Sequence, residues 1–350
     1  MTDRQKVLWV NSIGMRRPQP TIRDFKRVLE KASSFLHTKK NNIRDPIDNH
    51  SNISVCSMKI IPWPGNSRVR QINKILLGKQ LRSKKKELNL SHPILWTSLP
   101  TAVVALGELE EYAVVYYCGD DFGSLAGVDH GPVLSMEKEL ASKADLIIAA
   151  SENLTKRFPA DKTVHIPHGV DFELFSSPQG RPNDLPDGPV AGFYGSIAEW
   201  VDLESIAIAA DELPHWNFVL IGNVECAATT LQNKSNIFLL GPRPHHLLPA
   251  YLQHFDVSLL PFRDNDQIRA CNPLKLREYL AAGNPIVSTR FPALQPYEKL
   301  LTTIPSGDQL AAGIREADAD TFRNTQRQQA VQPESWTARS HRITQLINEL

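Results

Sequence analysis

The chain has 350 residues, 41% of them apolar and 22% charged, with a formal net charge of +1. That balance excludes a disordered tail and the strongly basic surface of a nucleic-acid binder, and the length suits two domains of ordinary size. The four cysteines, Cys56, Cys118, Cys226 and Cys271, form no C-x-x-C pair and no apolar run reaches the roughly 20 residues of a membrane span, so a cytoplasmic protein without zinc or disulfides is expected.

From the N-terminus, "VLWV" (7–10) reads as a strand, followed by a helix over about 21–36 and a strand within "ISVCSMKIIP" (53–62). Gly14, in the loop after the first strand, would permit close backbone approach to a phosphate. A basic amphipathic helix is expected near 67–88. It carries Arg68, Arg70, Lys74, Lys79, Arg82, Lys84, Lys85 and Lys86, with no acidic residue among them, interleaved with Ile72, Ile75, Leu76 and Leu77. Such a stretch suits an anionic membrane surface at the inner face, each cation contributing about 1 kcal/mol there; a solvated helix face is the plainer reading.

Next come "PILWTSLP", "TAVVALGELEE", "AVVYYC", "VLSMEKELASKA", "DLIIAAS", "ENLTKRF" and "TVHIPHG". Runs of strand length alternating with runs of helix length argue a parallel sheet wrapped by helices. The loop "CGDDFG" follows one of these strands, and a carboxylate there could orient or deprotonate an acceptor hydroxyl. Asp120 is the preferred base and Asp121 its neighbour, with a loop or helix-cap aspartate as the ordinary alternative.

Residues 176–189, "SSPQGRPNDLPDGP", are too rich in proline, glycine and aspartate for a regular element and read as a linker between a first domain, 1–175, and a second, 190–332. The last stretch, 333–350, is an amphipathic helix with Trp336, Ile343, Leu346 and Ile347 as expected buried positions. Two doubly wound parallel-sheet, Rossmann-like α/β domains facing across a cleft are predicted, with ligands at the carboxyl ends of the strands.

In the second domain "CNPLKLREYLAAGNPIVS" (271–288) predicts a helix. Asn272 is a favoured N-cap, Pro273 suits the first helical position, and Gly283 and Pro285 close the far end. Leu276, Tyr279 and Leu280 form one stripe, with Lys275 and Glu278 on a neighbouring face. A lysine in the first turn costs up to about 1 kcal/mol against the helix dipole unless an anion binds. Asn272, Pro273, Leu274 and Lys275 can therefore form a phosphate-binding helix start, with Glu278 accepting hydrogen bonds from a sugar hydroxyl; a solvated lysine beside a surface glutamate is the plainer alternative from this window alone. Asp264-Asn265-Asp266 matches a metal-holding D-x-D, but a triplet this short arises by chance. His165, His168, His245 and His246 lack metal-pair spacing, so no metal site is expected.

"VHIPHGVDFELF" (164–175), "FVLIG", "IFLLGPRPHHLLPAYLQHFDVSLLPF", "NPLKLREYLAAGNPIVST" and "SWTARSHRITQLI" fall in the order seen in a known family. They resemble the two-domain glycosyltransferases of the GT-B fold, in the group related to the retaining family-four enzymes of polysaccharide biosynthesis. The resemblance implies transfer of a sugar from a nucleoside diphosphate donor (UDP- or GDP-sugar) to a glycan or lipid-linked glycan acceptor, without a metal. It places Lys275 beside the donor diphosphate and Glu278 on the ribose. Phosphate contact is expected from Gly195 and Ser196, and base contact from Arg243. Two departures stand out: Ala270 replaces the first of two glutamates that the family commonly spaces by seven residues, and "FYGSIAEWVDLE" lacks the cations of many relatives near Ser196. They leave open a sugar-nucleotide epimerase and a non-catalytic sugar-nucleotide binding subunit.

Overall fold

The computed structural model describes residues 5–11, 52–61, 63, 65–125, 128–320 and 322–350; Gly14 and the helix expected over 21–36 lie outside them. Cα packing divides the chain into two compact units, Met1–Ile166 with Ile343–Leu350, and Pro167–Arg342.

The first unit holds a four-stranded parallel sheet in the order β3 (Ile94–Thr97), β4 (Ala113–Cys118), β5 (Leu146–Ala149), β6 (Thr163–His165). A separate parallel pair joins β1 (Val7–Val10) to β2 (Ile53–Cys56). The central strand β4, "AVVYYC", is buried along almost its whole length, which is why it reads as an unbroken apolar run rather than an alternating one. Helix His130–Lys143 crosses from β4 to β5 and buries Val133, Met136, Glu137, Leu140 and Ala141. Leu346 and Ile347, near the end of helix Trp336–Asn348, pack with Val115, Leu146, Ile148 and Ile166.

The basic helix spans Ser67–Glu87 and starts where Asn66 Oδ1 accepts from the Arg68 and Val69 amides. Its charge is less free than the sequence implies. Arg70 pairs with Glu139, Lys74 and Arg82 with Glu108, Lys84 with Glu87, and Lys85 with Glu110. Ile72, Ile75 and Leu76 are exposed at helical spacing, while Leu77 and Leu81 turn into the core. No helix among the described residues is long and apolar enough to cross a membrane.

The second unit is a six-stranded parallel sheet. Its strands are β7 (Val190–Tyr194), β8 (Asn217–Ile221), β9 (Ile237–Leu239), β10 (Val257–Leu260), β11 (Ile286–Thr289) and β12 (Thr302–Ile304), in the order β12-β11-β10-β7-β8-β9. The order reverses between β7 and β10, so the connections leaving these neighbours diverge and open a crevice beyond their carboxyl ends. Residues 176–189 lie inside this unit and are pinned to it. Asp184 bonds Arg243 and Tyr251, and Gln253 bonds the Phe175 and Ser177 carbonyls and the Gln179 amide. The division thus falls at Ile166/Pro167 rather than after residue 175, because side chains of the second unit satisfy the polar backbone of the proline-rich stretch.

The loops at the carboxyl edge are knitted together by backbone bonds. Gly195 N–H donates to Ile221 O (2.8 Å), Ile197 to Asn223 O (2.8 Å) and Gly222 to Gly241 O (3.1 Å). Asp202 N–H reaches Pro261 O (2.8 Å) and Arg263 reaches Trp200 O (2.9 Å), an antiparallel bridge tying the loops after β7 and β10. Side chains placed on this edge therefore stand on a rigid base.

Candidate active site

The helix anticipated from the sequence runs Leu274–Ala282 and ends at Gly283, whose φ of 90° suits a residue without Cβ. Its start differs from the expectation. Pro273 occupies the N-cap, and the Asn272 side chain accepts a hydrogen bond from Arg277 instead of from the helix amides. The reason is a buried guanidinium: Arg277 is 3% exposed, pairs with Glu334 at 2.6 Å, and needs a further acceptor inside the protein. A charge-assisted bond outweighs a neutral cap. Pro273 at the N-cap makes no side-chain cap bond, so among the described residues the first helix amides have no capping side chain from this position.

Lys275 projects from that start onto the loop after β7. Its ammonium sits 5.8 Å from the Phe193 ring centroid, and a Cβ added to Gly195 would stand 2.6 Å from Nζ and closer still to Cε. Gly195 has φ of 136° and Gly222 φ of 150°; a side chain on Gly222 would strike the Gly195 carbonyl. Two glycines thus let two strand ends and a lysine share one small space. Among the described residues Lys275 has no ion-pair partner. Burial pushes its ammonium below the ordinary lysine range, against the pull of Glu278 and Cys271. Ser196 is half-buried beside Gly195, and its hydroxyl has no hydrogen-bond partner among the described residues.

Glu278, one turn on, is buried and held from two sides. The Tyr194 hydroxyl donates to Oε2, and His245 Nε2 lies 2.9 Å from Oε1. Burial raises the Tyr194 phenol well above its usual value, as does the Glu278 charge, so it stays a donor. An ionised carboxylate has about four lone-pair directions, and two remain for a ligand's hydroxyls. Gly195, Ser196, Pro273, Leu274, Lys275 and Glu278 are thereby gathered at one end of one sheet.

Arg243 is not free to join them. Its guanidinium bonds Asp184 (2.7 Å), Tyr251 Oη (3.0 Å) and the Leu240 carbonyl (2.6 Å), a tie that fixes the loop after β9. Asp264 and Asp266 both bind Arg269, and Asn265 caps the short helix Asp266–Ala270 through the Ile268 amide, so the D-x-D triplet is a structural turn. Among the described residues no group of three or more His, Cys, Asp or Glu is placed to hold a metal ion.

In the first unit the two aspartates of "CGDDFG" part company. Asp121 accepts from the Gly123 amide (2.9 Å) and the Ser124 hydroxyl (3.1 Å) and pairs with Arg157. Arg157 also bridges to Glu137 (2.7 Å), whose other oxygen takes the Tyr116 hydroxyl (2.7 Å). Burial lifts the Glu137 carboxyl, opposed by Tyr116 and Arg157, and pushes the neighbouring Cys118 thiol up to about 12. Asp121 is accordingly a structural residue, not a free acid. Asp120 has no side-chain partner among the described residues, and desolvation by the surrounding loop raises its carboxyl above the ordinary aspartate range.

Two parallel α/β units, one with the doubly wound order and an uncapped, lysine-bearing helix start at its switch point, define the GT-B class of fold. HepE of Anabaena, solved with UDP-glucose, superposes with TM-score 0.70 at 14% identity over 99% of this chain and 100% of its own. The sucrose-phosphate synthase of Thermosynechococcus elongatus gives 0.69 at 19% identity, with 99% of each chain covered. Residues 188–320 match the family model of Glycosyl transferases group 1. TuaH of Bacillus subtilis (strain 168), assigned to teichuronic acid biosynthesis as a glycosyltransferase, is 28% identical over 227 residues. That match spans 59% of this chain and 57% of the relative's own length.

Sequence reading missed Tyr194 and assigned His245 no role beyond an unsuitable metal ligand. The glycines ending three successive strands, in "FYG", "LIG" and "LLG", were the available signal for the knitted edge.

Proposed function

We propose that this protein is a glycosyltransferase moving a sugar from a nucleoside diphosphate donor to a hydroxyl of a glycan or lipid-linked glycan. The observation that carries this is the Lys275 ammonium, held against Gly195 at the start of the helix Leu274–Ala282 with no carboxylate of the described residues paired to it. An ammonium kept half-buried without an anion favours binding one, and the helix amides point the same way. As the sugar–oxygen bond breaks, negative charge accumulates on the departing diphosphate. Lys275, the free amides and Ser196 would stabilise it without reorganising, so no metal is required in this reading. The two open lone-pair directions of Glu278 fit the vicinal hydroxyls of a ribose. A uridine donor is favoured over guanosine because HepE was solved with UDP-glucose. Asp120, whose side chain has no partner among the described residues and whose carboxyl is raised by burial, would take the acceptor proton.

Full turnover by Lys275→Ala with a panel of UDP- and GDP-sugars would sink this reading; the expected result is loss of most activity in a folded protein. A second reading is favoured by Ala270 and by the absence of a cation pair near Ser196: a binding subunit that holds a sugar nucleotide without transferring it. It predicts saturable donor binding with neither hydrolysis nor transfer across a broad acceptor panel. Donor isomerisation without acceptor would instead mark an epimerase.

Peripheral attachment at the inner face of a membrane is part of the proposal. Its support is the exposed Ile72, Ile75 and Leu76 on one face of the basic helix, with Arg68, Lys79 and Lys86 lacking ion-pair partners among the described residues. Co-sedimentation with anionic vesicles that disappears in Ile75→Glu is expected; equal binding to neutral vesicles would count against it.

A further inference from the structure

The Glu278 carboxylate is useful to a diol only if its remaining lone pairs face the diol, and its rotation is set by its two donors. Tyr194 is a fixed donor from the buried end of β7. His245 reaches Glu278 from the loop after β9, at 2.9 Å, with its side chain 58% exposed. Its ring meets Phe175 edge-on at 5.4 Å between centroids, a contact that favours one ring orientation. The charged groups facing it are Glu278 from the donor helix and Asp171, which caps the helix Phe172–Ser176; Lys275 lies one helical turn before Glu278. Arg243, on the histidine's own loop, is turned away onto Asp184, and His246 follows it in sequence. The ring therefore meets carboxylates from two packed elements and no paired cation.

We propose that His245 is a positioning residue for the donor: its Nε2–H sets the rotation of Glu278 toward the vicinal ribose hydroxyls, and its protonation tightens donor binding. This rests on the donor reading above. The hydrogen bond that His245 donates to Glu278 raises its imidazole above the ordinary value, despite opposing burial. Below that raised value the ring is an imidazolium whose charge-assisted bond holds Glu278 firmly and adds positive charge near the diphosphate. As pH rises through it, the neutral ring keeps the Nε2–H bond but loses both advantages.

UDP-glucose is a suitable probe, because its diphosphate carries no titrating proton near neutrality. Calorimetric titration of the full chain should show affinity falling about tenfold between about pH 5 and about pH 8. His245→Gln, which retains an N–H donor at similar reach, should bind with the wild type's alkaline affinity at every pH. His245→Ala should bind more weakly still, with an equally flat profile. A wild-type pH profile in either variant overturns the proposal. Without ligand, the His245 ring titration followed by NMR should drop toward the ordinary histidine value in Glu278→Gln; an unchanged midpoint overturns it too. Lys275→Ala separates the two ideas. If that variant alone loses UDP-glucose, the His245 role falls and the donor reading stands; if the wild type binds no UDP-glucose, both fall.

Discussion

Both units gather charged side chains at the carboxyl end of a parallel sheet, and they do so in opposite ways. Around "CGDDFG" in the first unit, Arg157 answers Asp121 and Glu137, and Tyr116 answers Glu137 again, while the Asp120 side chain has no partner among the described residues. At the helix Leu274–Ala282 of the second unit the arrangement is inverted: the carboxylate Glu278 is doubly satisfied while the cation Lys275 has no ion-pair partner among the described residues. A charge with all its partners inside the protein holds structure. A half-buried charge lacking one is costly to fold and has a use only when a ligand or a proton arrives. The contrast separates Asp120 and Lys275 from neighbours of the same residue type.

The largest effect should come from Lys275→Met, with opposite signs on activity and stability. Turnover should fall by about 10²–10³, the cost of removing one preorganised oxyanion donor, while thermal stability is unchanged or higher. The sign follows from linkage. Burial lowers the Lys275 pKa in the folded state, so its charge destabilises the fold at neutral pH, and that penalty fades only as pH rises toward the ordinary lysine value. A calorimetric scan showing marked destabilisation would make Lys275 a structural residue.

Arg157→Met should do the reverse in the first unit. It strands the buried Glu137 carboxylate and should cost about 3 kcal/mol by chemical denaturation. Gly195→Ala should come next, at about 1–3 kcal/mol. Its φ of 136° strains any side chain and the new methyl displaces Lys275, so stability and donor affinity should fall together. A smaller effect is expected from pH. With Asp120 as base, the rate should fall as acid protonates it, on a limb above the ordinary aspartate range that Asp120→Asn abolishes. Asp121→Asn should be smallest, about 1 kcal/mol in stability with the acid limb intact, since its work is in the turn and the Arg157 pair.

Much of the donor region was legible along the chain because helix signals are local. The Lys275–Glu278 spacing, the closing Gly283 and the apolar stripe are all consequences of neighbours within a few residues, and the helix forms where they indicate. The cap was misread because the competitor lies five residues away on a buried face: Arg277 claims Asn272, and nothing in the pentapeptide shows that Arg277 is inside. The ties of Arg243 and Asp121 were hidden for the same reason, each having a partner remote in sequence, Asp184 and Arg157 respectively. Residues 177–189 form no helix or strand, yet Gln253 and Tyr251 fasten the stretch to the second unit.

The sequence by itself determined the alternation of strands and helices, the uncompensated lysine at a helix start and the class of fold, because periodicity and termini are written within a turn or two of chain. Only the tertiary structure decided which charges are spent on one another. Pairing inside a protein depends on which distant side chains share a desolvated space, and that is fixed by packing, not by spacing.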